Sequence, residues 1–202
     1  GDLSSTAGPL IVSVTVIGEM PLRQVMRRHQ AQRGAVLLVS GELGAAACGL
    51  HLLQKGISGF SRLKAAQTRP RPQIKLGIRL ARSGLVQSCA DVSDGLYLDA
   101  QHLVPKGLTV QLDATRLPIS LDLKKAAAQI DDDPLRLALL GGEDFQLVLA
   151  ASAEHVTPLQ RLAKDCGTTL TSVGEVIRGR HAQVKGFQIA PHFGFEHFRK
   201  SV

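Results

Sequence analysis

An apolar approach, Leu85-Val86 and then Cys89-Ala90, runs into Asp91-Val92-Ser93-Asp94-Gly95. Two carboxylates three residues apart bracket a hydroxyl, and a glycine follows them. This order suits a strand that ends in a tight turn and opens a helix over residues 95–104. Two readings of the turn stand side by side. Carboxylates so placed hold a hard divalent cation such as Mg²⁺, which takes oxygen ligands and shares its shell with water and substrate phosphates. Alternatively, Ser93 or Asp94 caps the helix by accepting backbone N–H bonds in its first turn.

The rest of the chain alternates in the same manner. Residues 10–17 place Val12, Val14 and Val16 on one face and Ser13 and Thr15 on the other, the pattern of a half-buried strand. A short amphipathic helix is expected over 22–30 and an apolar strand over 36–39. Next comes Ser40-Gly41-Glu42-Leu43-Gly44-Ala45-Ala46-Ala47, opening a helix to Gln54. Small residues at such a turn let backbone N–H groups approach an anion; equally, they allow a helix to pack tightly on a sheet. Arg69-Pro70-Arg71-Pro72 reads as a stiff extended connector. A helix over 73–83 follows and stops at Gly84. Further strands are expected at 108–113, 145–150, 168–177 and 181–189, with helices at 121–129, 134–140 and 154–165. The pattern implies an α+β fold of mixed α/β layers.

Gly141-Gly142-Glu143-Asp144 interrupts this pattern between an apolar helix and an apolar strand. Paired glycines permit positive φ and a close approach of backbone to a ligand. Glu143 and Asp144 then point into a cleft at the strand ends, or else the segment is a helix C-cap with solvated acids. The tail aromatics Phe193, Phe195 and Phe198 read as a closing clasp.

Composition removes several function classes. With six Phe, one Tyr and no Trp, the chain lacks stacking platforms for single-stranded nucleic acid. The net charge of +7 is scattered, not gathered into one run, so a phosphate-bearing small molecule accounts for it as well as nucleic acid does, and a basic nucleic-acid-binding module ranks third among the readings of the chain. Cys48, Cys89 and Cys166 are odd in number and far apart, which argues against a disulfide framework or zinc site and fits a reducing cytosol. No apolar run approaches the roughly 20 residues of a membrane span, and no signal-peptide pattern is visible.

Taken in order, five motifs resemble the thiamine-monophosphate kinases. They are Gly1-Asp2, Asp91-Val92-Ser93-Asp94-Gly95, Leu140-Gly141-Gly142-Glu143-Asp144-Phe145, Val173-Gly174-Glu175-Val176 and Gly194-Phe195-Glu196-His197-Phe198. These kinases share an ATP-binding superfamily with phosphoribosylaminoimidazole synthetase and selenophosphate synthetase. The likeness runs over essentially the whole chain and matches about the C-terminal two thirds of that family. It implies Mg²⁺-dependent transfer of a phosphoryl group from ATP to thiamine monophosphate, giving thiamine diphosphate, in a cytoplasmic homodimer. By the same resemblance Asp2, Asp91 and Asp94 hold the metal, Arg28 and Ser93 contact ATP, and Glu143 and Phe195 contact the thiamine moiety. Leu3, Ala35 and Gln73 depart from the family's usual threonine, aspartate and arginine.

Residues 1–22 are then expected to be the end of an N-terminal ATP-binding half-domain, and 23–202 a C-terminal α/β sandwich domain. A chain that starts at Gly1-Asp2 without Met is expected to be a piece, inactive or poorly soluble alone. The acceptor is already an anion, so positioning and charge neutralisation carry the reaction and no general base is called for. The competing class is a non-catalytic nucleotide- or thiamine-phosphate-binding domain of the same superfamily.

Overall fold

The computed structural model of the chain describes residues 8–10 and 12–189. Asp2, Phe195 and the other tail aromatics lie outside them. The strands are β1 (Val36–Ser40), β2 (Ser88–Asp91), β3 (Leu108–Asp113), β4 (Leu147–Ala151), β5 (Leu170–Arg178) and β6 (Gln183–Lys185). The helices are α1 (Ala45–Gln54), α2 (Ser61–Thr68), α3 (Ile74–Ser83), α4 (Leu96–Asp99), α5 (Leu121–Ile130), α6 (Pro134–Leu140) and α7 (Val156–Asp165).

The six strands form one sheet in the order β2-β4-β1-β5-β3-β6. Neighbours run antiparallel except β3 and β6, which are parallel. Leu37, Leu38 and Val39 in the middle of the sheet are all fully buried. That is why the central strands read as continuous apolar runs, for both faces are covered. On one face Leu37, Val39, Val110, Leu112 and Val148 pack against Leu96 and Leu103 and against Leu139 of α6. On the other, Leu38, Leu149 and Leu170 meet Leu76 and Leu80 of α3 and Leu159 of α7. A third cluster joins α1, α2, α5 and α6 through Cys48, Leu52, Leu63, Leu123, Ile130 and Leu137. Each fully buried Leu contributes about 1.5–3 kcal/mol. Gly49 permits the α1–α2 contact, since a Cβ there would run into the Leu63 carbonyl. The mixed-layer α/β class expected from the sequence is the one observed.

Several local expectations give way. Residues 10 and 12–17 form no strand: Leu10, Val12, Val14, Val16 and Ile17 are all exposed. Alternation specifies a strand only where a sheet edge pairs with it and a layer covers one face, and among the described residues neither meets this segment. The helix expected over 22–30 shrinks to a single 3₁₀ turn, Leu22–Gln24. The residues after it spend their backbone groups on β2 and the segment beyond α4. Cys89 N–H donates to Arg27 O (3.2 Å), His29 N–H to His102 O (2.8 Å) and Ala31 N–H to Leu103 O (2.9 Å). The helix expected over 95–104 is split into α4 and a 3₁₀ turn, Ala100–Leu103, and the last strand is only three residues long. Helix α2 has no forecast in the sequence, because Leu63 is its sole buried residue and its face carries almost no apolar period. No helix among the described residues is long and apolar enough to cross a membrane.

Candidate functional site

Strand β2 ends at Asp91, which pairs with Leu147 at the start of β4. The turn after β2 and the loop before β4 therefore leave the sheet side by side. Three backbone bonds join them: Val92 N–H to Gln146 O (2.8 Å), Phe145 N–H to Val92 O (3.0 Å) and Glu143 N–H to Ser93 O (2.9 Å). Glycine is required at both contacts. At Gly142 (φ +68°) a Cβ would stand 2.5 Å from Ser93 O, and at Gly95 (φ +107°) 2.8 Å from Leu139 O. Glu143 and Phe145 hold φ values of 57° and 48°. Such left-handed residues cost on the order of 1–3 kcal/mol each and persist where neighbours over-determine them. The two acidic motifs are thus one structure.

The capping reading of Ser93 and Asp94 does not hold, since Gly95 is the N-cap of α4 and no side chain caps the helix. The bonds run the other way. Asp99, at the end of α4, turns back and accepts the N–H groups of Ser93 (2.8 Å) and Asp94 (2.9 Å) on Oδ2. Burial pushes the Asp99 carboxyl up while those two N–H groups pull it down, and the net shift is upward. Its signal lay in its spacing: Asp99 shares the apolar face of Leu96, Ala100 and Leu103, where a carboxylate survives only with partners.

Asp144 does not enter the cleft. It points inward, taking the N–H of Gly44 on Oδ2 (2.6 Å) and that of Ala46 on Oδ1 (3.0 Å) at the start of α1. The small-residue loop at 40–47 does present amides to an anion, and the anion is the chain's own carboxylate. Burial pushes Asp144 up to about 6 against the pull of those amides.

Ser93, Asp94 and Glu143 line a cavity of about 410 Å³ whose apolar wall includes Leu50, Leu137 and Leu140. The lining also takes in His51, Arg136 and, from α2, Gln67. Arg136 is bonded twice to Asp132, through Nε (2.7 Å) and through Nη2, and His51 Nδ1 lies 3.4 Å from the same carboxylate. Against the cost of burial, Arg136 holds Asp132 below the usual carboxylate range. With Arg136 offset in this way, Asp94 and Glu143 set an acidic lip on an apolar cavity. Gln67 Nε2 donates to Glu143 Oε2 at 2.8 Å.

Of the residues singled out in the sequence, Asp94, Ser93 and Glu143 meet at this cavity. Asp91 and Arg28 form a second group outside its lining, with Arg28 Nη2 3.6 Å from Asp91 Oδ1 and both side chains about half exposed. Among the described residues no three His, Cys, Asp or Glu side chains converge as a metal cluster. Asp99, Gln67 and the His51–Asp132–Arg136 group had no place in the sequence reading.

Residues 32–186 match the family model of the AIR synthase related protein, C-terminal domain. The chain belongs to this family. The matched AIR synthase related domain takes in the whole sheet and both acidic motifs, while Arg28 precedes it. The chain is 32% identical over 201 residues to the thiamine-monophosphate kinase of Caulobacter vibrioides, covering 95% of this chain and 55% of that protein. The crystal structure of the thiamine-monophosphate kinase from Stenotrophomonas maltophilia superposes with a TM-score of 0.74 at 34% identity, over 81% of this chain and 54% of the other. AaThiL complexed with AMPPCP and TMP superposes at 0.71 and 29% identity, over 84% and 53%. The chain spans about half the length of the curated relatives it matches.

Proposed function

We propose that this AIR synthase related domain is the acceptor- and metal-binding part of a kinase that transfers the γ-phosphoryl of ATP to thiamine monophosphate. The observation that carries the reading is the joining of the Asp91–Gly95 turn to the Gly141–Asp144 loop, which sets Asp94 and Glu143 on one apolar cavity. An acidic lip over apolar walls suits a flat ligand with a cationic ring, and thiamine carries a thiazolium. The relative solved with AMPPCP and TMP supports the same pair of ligands.

In this reading Asp91 and Asp94 hold Mg²⁺, joined by Asp2 from outside the described residues. The donor set fits: two accessible carboxylates on one turn are what Mg²⁺ uses when phosphates and water complete its shell. The bound ion would supply charge neutralisation across phosphate oxygens. Arg28, beside Asp91, and Ser93 meet the nucleotide, while Glu143 and Phe195 hold the thiamine moiety. Asp99 fixes the turn that presents Ser93 and Asp94. Residues 1–22 belong on this reading to an N-terminal ATP-binding half-domain, and the complete protein is a cytoplasmic homodimer.

The test is formation of thiamine diphosphate from ATP, Mg²⁺ and thiamine monophosphate by the purified chain, alongside calorimetric binding of each ligand. Product, or tight binding of both ligands, supports the reading. Binding of thiamine monophosphate with no Mg²⁺-dependent nucleotide binding points to a non-catalytic binding domain. No binding of thiamine monophosphate at all overturns the acceptor site.

A further inference from the structure

The connector between α2 and α3 links the two acidic groups. Near the end of α2, Gln67 Nε2 donates to Glu143 Oε2 at 2.8 Å. One turn into α3, a Cβ on Gly77 would stand 3.7 Å from Leu147 Cδ1, and Leu147 is the cross-strand partner of Asp91. Directly opposed residues of an antiparallel pair share a face. Leu147 and Cys89 pack in the cluster of Leu76 and Leu80, so Asp91 stands on the α3 side of the sheet. Residues 69–73 therefore run from the Glu143 group to the Asp91 group. Arg69 and Arg71 are the charged residues of this run, and both are exposed. Neither has an ion pair or a side-chain hydrogen bond among the described residues. Pro70 and Pro72 fix their own φ and restrict the arginine before each of them. The surrounding sequence supplies no neutralising carboxylate, since from Leu43 to Ala90 it has no Asp or Glu.

We propose that Arg69 and Arg71 bind the acceptor's phosphate, a phosphomonoester anion, and so set the preference for a phosphorylated acceptor. The inference rests on the kinase reading and deepens it. On that reading Glu143 holds the acceptor's ring and Asp91 belongs to the nucleotide side. The phosphate that receives the phosphoryl group then lies between them, in the interval that the connector crosses. Arg69 follows Gln67 by two residues, a span of at most about 7 Å, which puts its long side chain within reach of a ligand seated against Glu143. Guanidinium groups meet phosphate oxygens with paired N–H donors and keep their charge at any working pH. Asp91, Asp94 and Glu143 repel the same anion, so a phosphate beside them needs cations close by. Of the other cations nearby, Arg79 is engaged by Asp165 at 3.6 Å, and Arg82 lies about 12 Å along α3 from Ile74.

The experiment titrates the full chain with thiamine monophosphate, with unphosphorylated thiamine and with ATP. Wild type is compared with Arg69→Gln, Arg71→Gln and, as an exposed control, Arg82→Gln. We expect wild type to prefer the phosphate ester over thiamine. Arg69→Gln and Arg71→Gln should each lose about tenfold in affinity for thiamine monophosphate, the scale of one charge-assisted hydrogen bond, and keep thiamine affinity within about twofold. Arg82→Gln should leave the preference unchanged. Equal losses for both thiamine compounds, a preference untouched by either substitution, or the same loss in Arg82→Gln would overturn the inference and leave the kinase reading standing. A loss confined to ATP would do so too, by giving the two arginines to the nucleotide. A wild-type chain that binds thiamine and its monophosphate equally would overturn the inference alone. Failure of the wild-type chain to bind either thiamine compound would overturn the acceptor site with it.

Discussion

Asp144 Oδ2 lies 2.6 Å from the backbone nitrogen of Gly44, so the loop that shapes the cavity is tied to the first turn of α1 by a buried carboxylate. Burial raises that carboxyl from 3.8 to about 6 in the folded chain. The folded state thus holds the proton more tightly than the unfolded one. Its contribution to stability is complete below 3.8 and is lost as pH rises through about 6. Urea unfolding should give a stability at pH 5 on the order of 1 kcal/mol above that at pH 7 from this group, and Asp144→Asn should flatten the difference. A stability that climbs from pH 5 to pH 7, with the same slope in the variant, would contradict this assignment.

The turn at 91–95 separates two kinds of carboxylate. Asp99 takes two backbone N–H groups, whereas Asp94 is exposed at the cavity. Asp99→Ala leaves two donors unpaired and should cost about 2–4 kcal/mol in denaturant titrations. Asp94→Asn should stay within about 0.5 kcal/mol of wild type. The same Asp94→Asn should abolish Mg²⁺-dependent nucleotide binding. Unchanged Mg·ATP affinity in a stable Asp94→Asn variant would remove Asp94 from the metal site.

The elements legible in the sequence were those whose burial follows a simple period. Strand β1 announces itself through Leu37, Leu38 and Val39, all buried, and α3 through Leu76 and Leu80 with its stop at Gly84. Residues 10–17 have an equally good pattern, yet those of them that the structure describes form no strand, because pairing is settled by neighbours far along the chain. Helix α2 fails in the opposite sense: it is polar, yet it delivers Gln67 to Glu143. In the site, the chemistry-bearing types Asp94 and Glu143 were readable from their glycine neighbours. The inward turn of Asp144 and the backward bonds of Asp99 were not, since both depend on which way a loop folds over its neighbour.

Gly142 is where the two acidic motifs touch, with φ at +68° and no room for a Cβ beside Ser93 O. Gly142→Ala should cost more than about 1 kcal/mol from the backbone alone, and more again as Ser93 is displaced. Because the loops move together, affinity for nucleotide and for thiamine monophosphate should fall in parallel. Calorimetry on the variant checks this, and a loss confined to one ligand would show that the motifs act independently.

Arg28 and Asp91 form an ion pair at 3.6 Å with both side chains half exposed, so solvent screens it and its net worth is under about 1 kcal/mol. The pair is weak enough to open when ligands arrive. If Asp91 serves the metal and Arg28 the nucleotide, the two binding events pull the partners in different directions. Arg28→Ala should then tighten Mg²⁺ binding by a few-fold at most, since it removes a competing cation. The same change should weaken ATP binding by more, since a charge-assisted contact to phosphate is lost. Titrating Mg²⁺ with and without nucleotide resolves the two effects. A variant in which both affinities fall together would make Arg28 a support for the Asp91 turn, not a nucleotide contact.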